Sequence, residues 1–248
     1  MDDREKGWGM VTKLVGEEAV QAQKGAFEQW GIDRIMVEDF MANIISRPQL
    51  DLRTRELCTL SAFLASNVVS RGLAFHFGAS LNVAGVDEIK ELILQNLYVC
   101  GLPLTLRNFE IFDEVLEQRE EESLKTAEGE KKQEAPAVED ALGKEKWKRI
   151  LSDLNAFDPT VADYMEKRVF GKFFSTFKAL DLRTRFLCLT ATLLVLDNMR
   201  QLKLVISTAI RVGCSPQEVK EVIVQMGAYH GWPAVLNGVR VFHEAVRE

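Results

Sequence analysis

With 248 residues, 47% of them hydrophobic and 27% charged, the chain has the make-up of a globular protein with enough apolar side chains for substantial cores. A net charge of −6, without a basic stripe or an aromatic RNA-reading motif, excludes nucleic acid as the expected partner. The charged N-terminus, Met1 to Lys6, and the lack of an apolar run of roughly 18 residues leave neither signal peptide nor membrane span, so the expected location is the cytoplasm, away from membranes.

Apolar residues recur at helical spacing almost throughout, strand-like alternation is absent, and the expected fold class is all-α. A helical leader over residues 11–45 comes first. Asp51 then caps a helix over residues 52–69, whose Leu57, Leu60 and Leu64 form a core-facing stripe. A helix over 73–84 stops at Gly85, another spans 87–99, and Gly101-Leu102-Pro103 starts a last one. Residues 117–146 are dense in Glu and Lys and poor in large apolar side chains, which predicts a solvated linker. A second leader covers 147–177, followed by helices from Asp181, to Val212-Gly213, over 215–229 and after Gly231-Trp232-Pro233. Each leader is expected to pack over the core helices that follow it.

Leu50-Asp51-Leu52-Arg53-Thr54-Arg55 returns as Leu180-Asp181-Leu182-Arg183-Thr184-Arg185, and the frame holds onward, pairing Cys58 with Cys188, Glu91 with Glu221 and Gln95 with Gln225. This reads as a tandem duplication: a first lobe at 1–116, the linker at 117–146 and a second lobe at 147–248. Four cysteines without a CxxC or ligand-like histidine spacing read as buried free thiols, with no metal site and no disulfide.

Where the copies disagree, chemistry is expected. Glu56 falls opposite Phe186, a residue that prefers burial, and an interior carboxylate needs a partner or a shifted pKa. His76 falls opposite Ile206, among apolar neighbours on the next helix. Alone it reads as a core histidine; paired with Glu56 it becomes a candidate acid or base. Arg53 and Arg55 either serve the fold, as their recurrence suggests, or clamp a substrate carboxylate. Tyr229, His230 and Trp232, before and within a tight turn, either line a pocket or make a subunit contact.

The hexapeptide with the following Glu56-Leu57-Cys58-Thr59-Leu60, the nearby His76, the Gly85-Val86 turn, the Ile-Lys-Glu helix and the Gly-x-Pro motif resemble the carboxymuconolactone decarboxylase family, and the second copy resembles it too. The resemblance implies a helical fold that assembles into rings of six lobes, reached here by a trimer of two-lobe chains. It also implies catalysis without a cofactor, by Glu56 and His76, on a small-molecule carboxylate such as a lactone or keto acid. The related thiol peroxidases use a CxxC ahead of the histidine, where this chain has Val69 and Gly72. The second lobe, lacking both acid and histidine, is expected to be silent. Decarboxylation leads; isomerisation or cyclisation on the same scaffold, and a non-catalytic ligand-binding ring, are the alternatives.

Overall fold

The structure, a computed structural model, describes residues 2–66, 70–119, 138–175 and 178–247. Among these there is no strand, and no helix is long and apolar enough to cross a membrane.

Helix α1 (Asp3–Trp30) is capped by Asp2, which accepts from the Glu5 amide at 2.8 Å. Gly16, at φ 82° and ψ 164°, breaks it into two pieces, a conformation that costs glycine little. Left-handed Gly31 ends it, and a π-helical segment (Arg34–Ile45) packs back upon it. Arg4 joins the two by ion pairs to Glu28, Asp33 and Glu38. The single leader expected over 11–45 is thus a helical hairpin turning at Gly31.

Helices α2 (Leu52–Ala65), α3 (Ser70–Leu81), α4 (Val86–Cys100) and α5 (Leu102–Gln118) follow. Helix α2 is shorter than expected, with Ser66 as C-cap; Val69 lies outside the described residues. Most of the expected linker, residues 120–137, also lies outside them. Its ends are helical: Glu117 and Gln118 close α5, and α6 (Val138–Leu142) and α7 (Lys144–Phe157) open the second half. Ala141 and Leu142 are buried, and Arg211 Nη1 donates to the Leu142 carbonyl at 2.7 Å, so this end of the charged segment packs on the second half.

Next come α8 (Pro159–Tyr164), a π-helical segment (Met165–Phe170), α9 (Gly171–Ser175), α10 (Leu182–Val195), α11 (Met199–Arg211), α12 (Pro216–His230) and α13 (Trp232–Ala245). Helices α2 and α10 occupy matching frames, each capped by an aspartate that accepts from the threonine amide three residues on. Both are buried nearly all round and pack against each other at the centre. Gly101 and Gly231, at φ 80° and 87°, make the same turn into α5 and α13. One continuous core runs through both halves instead of two separate ones. The first leader hairpin holds a small satellite cluster, Val11, Leu14, Val20, Phe40, Met41 and Ile45, and its π-helical segment packs on α12 of the other half.

Candidate functional site

The repeated residues meet between the halves. Arg55, 1% exposed, donates from Nη2 to Glu221 Oε2 at 2.9 Å and from Nη1 to Gln225 Oε1 at 3.2 Å. Its other bonds go to the Leu50 and Arg47 carbonyls. Arg185, in the matching place, donates to Gln95 Oε1 at 3.1 Å and lies over the Phe173 ring. Gln225 and Gln95 return bonds to the Arg55 and Arg185 carbonyls at 3.0 and 3.1 Å. The thiols of Cys58 and Cys188 stand 3.9 Å apart across the same seam.

Arg53 pairs instead with Glu88, and Arg183 with Glu218, each tying a hexapeptide to the start of a later helix. Neither Arg53 nor Arg55 lines the cavity described next. Arg55 is consumed by buried acceptors, where its planar fork fits a carboxylate and carbonyls of the protein itself, in keeping with the fold-serving alternative.

Glu56, one residue on from Arg55, points to a different side of α2. It is 3% exposed, and its Oε1 accepts from His76 Nδ1 of α3 at 2.8 Å. Both line a cavity of about 270 Å³, together with Phe63, Phe75 and Tyr229 and side chains of the leader hairpin such as Phe27, Met36 and Gln23. Phe63 lies 4.2 Å from the histidine ring, and Tyr229, supplied by α12 of the other half, stands edge-on at 5.6 Å. Burial, and then the Glu56 charge, push the Tyr229 phenol well above its usual range, with a hydrogen bond to Thr59 opposing them. Tyr229 therefore stays a neutral phenol.

The bond to Glu56 occupies Nδ1, so Nε2 is the ring nitrogen left for a molecule in the cavity. A carboxylate accepting from Nδ1–H fixes the ring's tautomer and orientation. Apolar walls strengthen the pairing by excluding water.

His230 and Trp232 lie outside this cavity. His230 is exposed at the end of α12, and Trp232 stacks over Gly227 and opens an exposed stripe with Leu236 and Val239 on α13. Leu102 and Leu106 form the matching stripe on α5. The cavity's leader residues carried no sequence signal, because they reach Glu56 only through a hairpin that the hydrophobic pattern did not locate. Phe63 and Phe75 were findable, one sharing the α2 face of Glu56 two turns on and the other preceding His76.

A second cavity, of about 310 Å³, sits in the matching place of the other half. Phe186 stands there for Glu56, Leu193 for Phe63, Val205 for Phe75 and Val99 for Tyr229, with the second leader's Phe170 and Phe173 covering it. Ile206 replaces His76 and is fully buried.

The carboxymuconolactone decarboxylase family model matches residues 159–244, from the start of α8 almost to the end of α13. This segment is similar to the carboxymuconolactone decarboxylase family. No curated protein matches at a significant level. The match lies in the half with the apolar cavity, while Glu56 and His76 lie in the half ahead of it. Similarity to this family is compatible with an enzyme, decarboxylase or peroxidase-like. The cysteines bear on the latter: burial, and then the neighbouring thiol, push Cys58 well up, and burial raises Cys100 to about 11 and Cys214 to about 12. All four are free, and Cys58, Cys100 and Cys214 are remote from a thiolate at neutral pH.

Proposed function

We propose that the chain is an enzyme that moves a proton to or from a carbon of a small, largely apolar molecule bound in the first cavity. The observation that carries this reading is the buried 2.8 Å pair of Glu56 and His76 facing an apolar space. An isolated buried carboxylate costs several kcal/mol, so a pair of this kind adds little net stability and is kept for what it does.

In the reaction His76 Nε2 takes a proton from a carbon beside a carbonyl, or, as imidazolium, gives one to the carbanion left by loss of carbon dioxide. Glu56 holds the ring and balances its charge. The Tyr229 phenol stands ready as a neutral donor beside the same ring. Decarboxylation of a lactone or keto acid is the leading reaction, and isomerisation or cyclisation needs the same groups. Among the described residues no arginine lines the cavity, which favours an apolar substrate body.

Mass spectrometry of products from wild type and His76→Ala, incubated with carboxylated lactones and β-keto acids, tests this. Loss of carbon dioxide with wild type alone supports a decarboxylase; a product of unchanged mass moves the assignment to isomerase or cyclase; equal turnover by both proteins refutes it. We also propose a trimer of chains. The exposed stripes on α5 and α13 support it, and light scattering should then give a trimeric mass for this 28.0 kDa chain.

A further inference from the structure

We infer that the second cavity is a binding site in its own right, for a neutral, largely hydrocarbon molecule of about two rings that carries at most one hydroxyl or carbonyl group. It stands apart from the acid–base chemistry proposed above, since the pair of Glu56 and His76 has no counterpart there.

The two cavities differ by an exchange of polar for apolar groups, and the space survives the exchange. Phe186 stands for Glu56, Val99 for Tyr229, and Leu189 for Thr59, whose hydroxyl bonds Tyr229. The carboxylate, the phenol and the hydroxyl behind it are thus replaced by hydrocarbon. Phe186 serves the fold better than a carboxylate does, yet side chains that served only packing would also close the space between them, because an apolar void forfeits contacts in proportion to its size. Here about 310 Å³ stays open, against about 270 Å³ in the first cavity.

The lining sets what fits. Among the described residues no charged side chain lines the cavity. Arg185 lies behind the Phe173 ring, 4.2 Å from its centroid, and bonds Gln95. An ion taken into such a space would lose its water without gaining a partner, so the occupant is neutral. Asn198 and Gln201, exposed about the start of α11, bring two amides to the rim, and the Asn198 side chain makes no capping bond there. They suit one oxygen of the occupant and give it a direction, with the polar end outward and the rings inside. Phe170 and Phe173 cover the space, and Met165 beside them adapts its shape readily. A cavity of about half this volume walled by Leu, Ile and Phe admits benzene, which makes two rings the scale.

Calorimetric titration with 2-naphthol and its charged counterpart 2-naphthoate tests this on wild type, Leu193→Phe, Val205→Phe and His76→Ala. The two filling substitutions insert the ring that the first half carries at the same frame, as Phe63 and Phe75, so the scaffold already accommodates them there. Wild type should prefer 2-naphthol by about tenfold or more, the least expected when a carboxylate is left unpaired in an apolar space. Leu193→Phe and Val205→Phe should each weaken binding at one equivalent by about tenfold or more, and His76→Ala should retain that equivalent. Should Leu193→Phe fail to fold at its buried position, Val205→Phe at its half-buried one carries the test. Equal or reversed preference in wild type, or binding of neither molecule, would overturn the assignment. So would titrations of both filled variants that match wild type, or loss of the equivalent in His76→Ala, either of which would seat the molecule in the first cavity.

Discussion

The two cavities stand in matching positions on the two halves, are of similar size and are covered alike by a leader, yet one faces its space with Glu56 and His76 and the other with Phe186 and Val205. The residues around them divide by the same rule. Those that recur, Arg55 with Arg185, Glu91 with Glu221, Gln95 with Gln225 and Cys58 with Cys188, are spent on capping and on the seam between halves. The differing pairs Glu56 with Phe186, Phe63 with Leu193 and Phe75 with Val205 face the cavities. A buried Phe186 contributes roughly 1.5–3 kcal/mol to stability, whereas a buried carboxylate contributes little without its partner. On the proposed reading, the second half is built for stability, and the first gives some up for a proton-transfer pair.

The comparison can be broken most sharply at the pair itself. Glu56→Gln and His76→Ala should each lower turnover by about 10²–10⁴-fold, and Phe186→Leu should leave it unchanged, as steady-state rates on any accepted substrate would show. Loss of turnover in Phe186→Leu at unchanged folding would end the division of labour.

Next in size is the seam. Arg55→Ala strands Glu221 without its buried partner and should cost about 3–5 kcal/mol in denaturant unfolding. A smaller effect would mean that Arg47, which also reaches Glu221 at 2.8 Å, takes over the pairing.

Transplanting the pair sharpens the contrast. Phe186→Glu alone should destabilise the protein by about 2–4 kcal/mol, and adding Ile206→His should recover about 1 kcal/mol or more by supplying the partner. Additive losses would show that the second cavity cannot hold the pair in the geometry of the first.

The smallest effect concerns the exposed clasp of the second half. Burial works upward on Glu218, but hydrogen bonds from Ser215 and the Arg183 charge outweigh it and hold its carboxyl below the ordinary value. A depressed folded pKa gives stability that is present above the unfolded value of about 4.3 and lost as pH falls through the folded value. Wild type should therefore exceed Arg183→Ala by at most about 1 kcal/mol near neutrality, a margin that thermal melts should show vanishing toward about pH 3.

Much of this was legible in the chain. The aspartate caps, the glycine turns and the apolar stripes are local signals, and they place α2, α4, α5, α10, α12 and α13 to within a few residues. The disagreement between copies singled out Glu56 and His76, which the fold brings together. Tyr229 was selected for lying near a turn, and it reaches the cavity because α12 crosses to the other half. Arg55 was ambiguous because a buried arginine and a substrate clamp look alike in sequence, and only the partners Glu221 and Gln225, far along the chain, decide between them. The leader's part in the cavity depends on a hairpin closed by Gly31 and on packing across the two halves, neither of which periodicity encodes.

The most direct test of the central claim is deuterium incorporation at carbon when lactones, keto acids and their amphipathic analogues are incubated with the protein in D₂O. Wild type and Phe186→Leu should label the product carbon, and Glu56→Gln and His76→Ala should lose at least about 99% of that labelling, the low end of what a positioned acid or base supplies. Undiminished labelling in both site variants, or labelling by none of the four proteins, would contradict an acid–base pair at work in the first cavity.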